Sequence, residues 1–477
     1  MAGEFIINDI MLQEYLANLV VDKHEPLPKN KQTWKKSAQS LLESSWTGDL
    51  FINSVLNQGR EEDQDGNRVV PPVRWASDPS FKEGEKTIIT YSFATKKSKF
   101  NYGDDRVKKI KPYANFSKGQ KRDISNLFDL ISEYINVDFK KVKDRKTVGT
   151  IRIGFNTITD ESGAYRPGIY ATADPPNEAP RGGDIWFNKG YTGDDFSQGL
   201  VEGFTTPTPS TTMLHEILHS LGAEHPNDND EYQVPDSVNN WEHTILATGE
   251  LEYSHSAEFS NGGKNYGVSS SPMPWDIAAL QHLYGANKKT NEGDTIYKYS
   301  NMVPFYETIW DAGGNDTLEL SNFNQDLKIN LIDGELSTLS FDVEDDRWAN
   351  KQHGNLGIAF GCIIENATGG AGHDSIIGNQ TDNNLIGNAG NDTLNGGGGF
   401  DVLTGGPGQD TFEVQPGEGH SVVMDFTDGM DQIVVINSGS VEIRTVGNST
   451  ELLSGGDLIA TVLSSSGLLQ QNGSILF

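Results

Sequence analysis

Residues 211–230 read TTMLHEILHSLGAEHPNDND and place three histidines within eleven positions, with Glu216 directly after the first. On a helix, His215 and His219 lie one turn apart on one face, and Glu216 can reach a water held between them. His225 cannot join them on a continuing helix, because ten residues on it would stand about 15 Å farther along the axis. Gly222 supplies the break: glycine tolerates the positive φ that ends a helix and turns the chain back. Pro226 then keeps the helix from resuming. Three neutral imidazoles closing on one ion leave a coordination position open, the arrangement of a catalytic zinc site. The chemistry expected there is peptide-bond hydrolysis, with Glu216 taking the proton of an acidified water and passing it to the leaving amine. H-E-x-x-H alone is a modest signal, and its extension through G-x-x-H is far stronger. A merely solvated helix end would leave Gly222 and the third histidine unexplained.

The elements that must carry these groups read as an α+β pattern. KTIITYSF (86–93), TIRIGF (150–155) and GDIWFN (183–188) have strand character. KRDISNLFDLISEYINV (121–137), the histidine segment and WDIAALQHLYG (275–285) have helical spacing. Upstream, MLQEYLANLV (11–20) and WKKSAQSLLESS (34–45) are expected to be helices, followed by the turn-rich connector NQGREEDQDGNRVVPP. The expected division is an N-terminal helical segment at 1–74 (a propeptide or part of the catalytic unit), a metallopeptidase domain at 75–290, and a third region at 291–477.

In that third region the composition turns to Gly, Asn and Asp, and a nine-residue period appears: GGAGHDSII (369–377), GNQTDNNLI (378–386), GNAGNDTLN (387–395), GGGGFDVLT (396–404) and GGPGQDTFE (405–413). Each unit joins a Gly-rich half to a three-residue strand with one large apolar residue: Ile376, Leu385, Leu394, Leu403 and Phe412. Stacked, these make a thin core of short parallel strands. Asp374, Asp392, Asp401 and Asp410 recur at one place in their units. The turn positions Gly370 and Gly372, Asn388 and Gly390, Gly397 and Gly399, and Gly406 and Gly408 can offer carbonyl oxygens beside them. Such hard oxygen donors suit Ca²⁺, and folding should depend on the ion. Asn383 stands where the second unit should carry its acid, so that site should be weaker or differently completed. A flexible linker would need neither the period nor the buried apolar position.

Composition narrows the function classes. A net charge of −30 over 477 residues argues against nucleic-acid binding and fits a binder of many cations. The single cysteine, Cys362, excludes an intramolecular disulfide and, lying in the repeat region, makes a cysteine latency switch improbable. The first twenty residues lack a basic n-region and a small-residue cleavage site, so no signal peptide is expected. No stretch reaches the roughly 20 apolar residues of a membrane span.

The chain resembles the serralysins, secreted metzincin endopeptidases with a β-roll of the repeats-in-toxin type. The likeness covers about residues 75–435 and includes TYSF (90–93), GDIWFN (183–188), HEILHSLGAEHP (215–226), DIAALQHLYGAN (276–287), NEGDT (291–295), WDAGGNDTL (310–318) and IIENATGGAGHD (363–374). It implies an α+β metzincin-type catalytic domain, then a calcium-binding parallel β-roll and a β-rich C-terminal segment. It further implies zinc on His215, His219 and His225 and Glu216 as general base, with GDIWFN as the edge strand pairing with extended substrate. Carbonyls of Asn291, Gly293 and Thr295 with Asp311, Gly313 and Asp316 would form a junction calcium site, Glu365 assisting the next. The family's Met-turn is absent: HTILATG (243–249) puts Leu246 at the methionine and Thr248 at the tyrosine. Met273 comes too late to serve. Tyr253 is the candidate replacement from a shifted loop, against the plainer reading of a packing tyrosine.

The sequence therefore predicts a secreted, extracellular, monomeric zinc endopeptidase, stabilised by calcium and acting on protein or peptide substrates. The resemblance adds a type I secretion machinery, reading an uncleaved C-terminal signal loosely matched by GSILF, and a protein inhibitor as partners. The rival readings are a catalytically weak metzincin-fold binding protein and a calcium-dependent adhesin.

Overall fold

The structure, a computed structural model, describes residues 86–98, 114–144, 148–158, 169–177, 181–189, 209–226, 239–247, 269–342, 354–417, 419–436 and 441–463. Shorter described stretches lie at 40–43, 52–53, 55–56, 73–76, 165–166, 228, 234–235, 471–472 and 475–476.

The first sheet forms where the β-branched and aromatic runs were expected. Its strands follow β1 (Ser40–Glu43) and β2 (Val73–Ala76), a separate antiparallel pair, and are β3 (Thr87–Phe93), β4 (Val137–Lys141), β5 (Ile151–Asn156), β6 (Ala171–Ala173) and β7 (Ile185–Asn188). Their order is β4-β3-β5-β7-β6, parallel except for β6, which runs antiparallel to β7. Helix α1 (Lys118–Tyr134) links β3 to β4. It starts at a capping box in which Ser117 and Gln120 satisfy each other's backbone N–H. It buries Ile124, Phe128 and Ile131, spaced four and three residues apart, on one stripe. Helix α2 (Pro209–Leu221) packs against α1, β6 and β7, and α3 (Pro274–Tyr284) follows.

Two expectations are corrected. WKKSAQSLLESS is not helical throughout, because Ser40–Glu43 pairs with Val73–Ala76, Leu41 opposite Trp75. An available partner for its N–H and C=O groups outweighs a weak local preference. GDIWFN is not the edge strand either, since β6 occupies its outer side and takes the edge position. The expected helix at 11–20 lies outside the described residues.

Beyond residue 290 the chain winds as a roll. Strands 366–368, 384–386 and 399–404 stack in parallel in one sheet, and 375–377, 393–395 and 411–414 in the other. Each nine-residue unit is thus half a turn, and like positions meet every 18 residues. Ala367, Leu385, Leu403 and Val423 line up on one side, and Ile376, Leu394, Phe412 and Ile433 on the other, all buried. Strands 441–446, 449–454 and 457–463, antiparallel to one another, extend the roll sheet that holds 399–404, with 457–463 running parallel to 419–423. Ile475–Leu476 pairs along residues 433–434 of the other roll sheet. Among the described residues no helix is long and apolar enough to cross a membrane.

Candidate metal centres

α2 is apolar on its packed side, with Met213, Leu214, Ile217, Leu218 and Leu221 buried, which leaves His215 and His219 on the other face. Its last carbonyls are capped from outside: the Trp75 indole donates to Ser220 O at 2.8 Å and the Tyr284 hydroxyl to Leu221 O at 2.7 Å. Gly222 then takes φ +112, and the N–H groups of Gly222 and Ala223 return to His219 O and Leu218 O. The Glu224 N–H is held by Val55 O. The helix end and the reversal are thus fixed from both sides, and His225 swings back.

The result is three Nε2 atoms at mutual distances of 3.1, 3.2 and 3.2 Å. Each ring's Nδ1 faces an acceptor at 2.9 Å: His215 on Ile245 O, His219 on Ala223 O, His225 on Asp228 Oδ2. Nδ1 therefore carries the proton, and three Nε2 lone pairs converge with no proton to share. Lone pairs so placed repel unless a cation lies among them. Tetrahedral zinc ligands ~2.1 Å from the ion stand about 3.4 Å apart, close to what these rings show. The ionisation state agrees: burial, then the neighbouring His225, pushes His215 down to about 4, and burial with both partner rings takes His219 well below its usual value. Both are neutral near pH 7, as ligands must be. Glu216 is buried on the same turn, its carboxyl pushed up to about 8 by burial and then by Glu224; a bound cation would act against that shift.

Beneath His215, Leu246 is fully buried next to Ile245, whose carbonyl holds the ring. Asp276 fixes this segment, accepting from the Thr244 hydroxyl and from the N–H groups of Ile245 and Met273. His243 bonds Asn240 and lies 4.9 Å from the Trp275 ring, away from the triad's contacts. Thr248 and Tyr253 lie outside the described residues. Asp228 and Asp276 escaped sequence reasoning; the Asp three residues after His225 was the only local signal for the first.

The acids of the roll form ladders. The N–H of Asp374 donates to Asp392 Oδ1, that of Asp392 to Asp410 Oδ1 and that of Asp410 to Asp431 Oδ1, all at 2.8–2.9 Å. In the other row Asn383 N–H donates to Asp401 Oδ1. At the junction, Thr295 N–H donates to Asp316 Oδ1, Gly313 N–H to Asp311 Oδ1, and Asp316 N–H to Glu365 Oε2. The second carboxylate oxygens of Asp316, Asp392 and Asp410 are buried without a hydrogen-bond partner. Those of Asp392 and Asp410 border the space that a Cβ at Gly387 or Gly405 would fill, with Gly405 O also at the first. Burial holds Asp374 up at about 7 and Asp316, Asp401 and Asp410 at about 6. Buried carboxylate oxygens without a partner, beside a backbone carbonyl oxygen, fit a hard divalent cation. Gly370 N–H, by contrast, donates to Asp374 Oδ2 at 2.6 Å. Asn291 takes φ +51 and Asn388 φ +73, the left-handed conformation that asparagine tolerates better than most residues.

Two histidines on a helix and a third past its end, joined to an acid-laddered parallel roll, match the architecture expected of a serralysin-type metalloprotease. Comparison with known proteins agrees. The family described as Peptidase M10 serralysin C terminal matches residues 276–451. Serralysin G of Dickeya chrysanthemi is 31% identical over 347 residues, covering 69% of this chain and 66% of that protein. Serralysin of Proteus mirabilis is 33% identical, covering 63% and 61%, and metallopeptidase AprA of Pseudomonas marginalis is 34% identical, covering 64% and 62%. The chain is similar to the serralysin-like metalloproteases along most of its length, and residues 276–451 match their C-terminal family. It spans just under two thirds of the length of these relatives.

Proposed function

We propose that this chain is a secreted, calcium-stabilised zinc endopeptidase of metzincin type that hydrolyses peptide bonds of protein substrates. Residues 75–290 form its catalytic domain and 291–477 its calcium-binding roll and secretion region. One observation carries the reading: three imidazoles with committed Nδ1 atoms converge their Nε2 atoms within 3.2 Å. His215, His219 and His225 hold the zinc, which supplies a Lewis acid to acidify water and polarise a scissile carbonyl. Glu216, buried beside them, accepts the proton of the attacking water and delivers it to the leaving amine. Asp228 keeps His225 in the Nδ1–H tautomer, and Ile245 O does the same for His215. β6, an edge strand of the first sheet among the described residues, is the strand we assign to pair with an extended substrate. The altered Met-turn, with Thr248 where the family has its tyrosine, is the support for the alternative, a catalytically weak metzincin-fold binding protein.

The test incubates purified chain with an unfolded protein, with and without a zinc chelator, beside Glu216→Ala. Zinc-loaded wild type alone should cut. Equal, negligible cleavage by wild type and mutant, with zinc content and fold retained in both, would overturn the peptidase reading in favour of binding or adhesion.

A further inference from the structure

In the ladder steps ending at Asp392, Asp401, Asp410 and Asp431, the later turn presents a carboxylate oxygen to the N–H of the earlier one. The step from Glu365 to Asn383 has the opposite polarity. Asn383 Nδ2 donates to Glu365 O at 2.9 Å and to Asn379 Oδ1 at 3.2 Å, while its own Oδ1 accepts from the Asn379 N–H at 2.8 Å. Asn379, also buried, donates through Nδ2 to Ile364 O at 2.8 Å and Leu331 O at 3.3 Å, and its Oδ1 accepts from Thr381. Carbonyls on one side and N–H groups on the other fix which atom of each amide is nitrogen. Both amides are satisfied on both ends, whereas Asp316, Asp392 and Asp410 each keep a buried oxygen without a partner.

We infer that the roll takes no cation between its Glu365 and Asn383 turns, and that the paired amides of Asn379 and Asn383 do there what calcium does elsewhere. An amide N–H offers a carbonyl the positive pole that an ion would offer. It needs no ion, and a donor aimed into the step repels one. The backbone stays in repeat form: a Cβ at Gly378 would meet Gly396 O and Asn383 Oδ1, as one at Gly387 meets Gly405 O and Asp392 Oδ2. The exchange is therefore one of donor chemistry within an unchanged turn.

This rests on the reading that the acid turns bind calcium, and the experiment separates the two. Bound Ca²⁺ per chain is counted by native mass spectrometry for full-length wild type, for Asn379→Gly with Asn383→Asp, which gives this turn the Gly–Asp pattern of Gly406 and Asp410, and for Asn383→Ala. Circular dichroism checks that each is folded. The double variant should carry one ion more than wild type, and Asn383→Ala the same number as wild type. An unchanged count in the double variant, or an ion lost in Asn383→Ala, overturns the inference while leaving calcium binding standing. A wild type that binds no calcium removes both.

Discussion

Asp276 offers a perturbation whose sign and size can be worked out beforehand. Its carboxyl is fully buried at the start of α3, where burial lifts it from 3.8 to about 6 against three donated hydrogen bonds. The unfolded chain loses this proton near pH 4, while the folded chain keeps it to about pH 6. Stability from this group is thus fully present below pH 4 and lost as pH rises through 6. A rise of roughly two units, at about 1.36 kcal/mol each, makes the loss about 3 kcal/mol. Asp276→Asn keeps an oxygen for the Ile245 and Met273 amides and does not titrate. Urea midpoints of calcium-loaded wild type and variant, taken from pH 4 to 7, give the two stability curves. Their difference cancels the titration of the roll acids common to both. Wild-type stability relative to the variant should fall by about 3 kcal/mol over that window. Parallel curves, or a difference that grows with pH, would show that the three hydrogen bonds outweigh burial, and the reasoning would fail.

Asp228→Ala frees the Nδ1 of His225 and should raise the rate of zinc loss to a chelator by about 10- to 100-fold with little change in melting temperature; unchanged zinc loss would deny Asp228 a part in the metal centre. Leu394→Ala removes a fully buried side chain from the inner line of the roll and should cost about 2–5 kcal/mol. Calcium-dependent unfolding followed by circular dichroism would measure it, and a loss under 1 kcal/mol would mean that the roll closes over the gap.

How far the sequence carried depends on whether the signal was local. The reversal after Leu221 was legible because Gly222 and Pro226 act within a few residues. The strands and helices of the first sheet were legible from their periodicity. What caps that reversal was not: Trp75, Tyr284 and Val55 come from three distant segments and meet only in the fold. The same holds for β6, a three-residue strand too short to announce itself, which took the edge from GDIWFN. In the roll, the spacing of 18 between Asp374, Asp392 and Asp410 points onward to Asp428. The ladder instead ends on Asp431, 21 residues after Asp410, because the intervening turn is longer.

Hydrogen bonds at the two ends of α3 reach toward both candidate metal sites. At its start Asp276 anchors the segment whose Ile245 carbonyl orients His215. At its far end, Gln281 Nε2 and Asn287 N–H both donate to Tyr134 O, Asn136 N–H donates to Gly285 O, and the Trp310 indole donates to Asn287 O. Four residues past Asn287 begins the turn that faces Asp311 and Asp316, where Ala312 N–H returns to Thr290 O. On the proposed assignment, an ion at that turn clamps the end of α3, and its removal leaves the Asp316 carboxylate facing Asp311 and Glu365 with only N–H and hydroxyl donors against their charge. The roll has little else to hold it, since each nine-residue unit buries one large apolar side chain in its strand and must order all nine residues. On the same assignment, calcium loss would weaken the Trp310 hold on Asn287 at the end of α3, while the contacts of Tyr134 and Asn136 would keep that end on the first sheet.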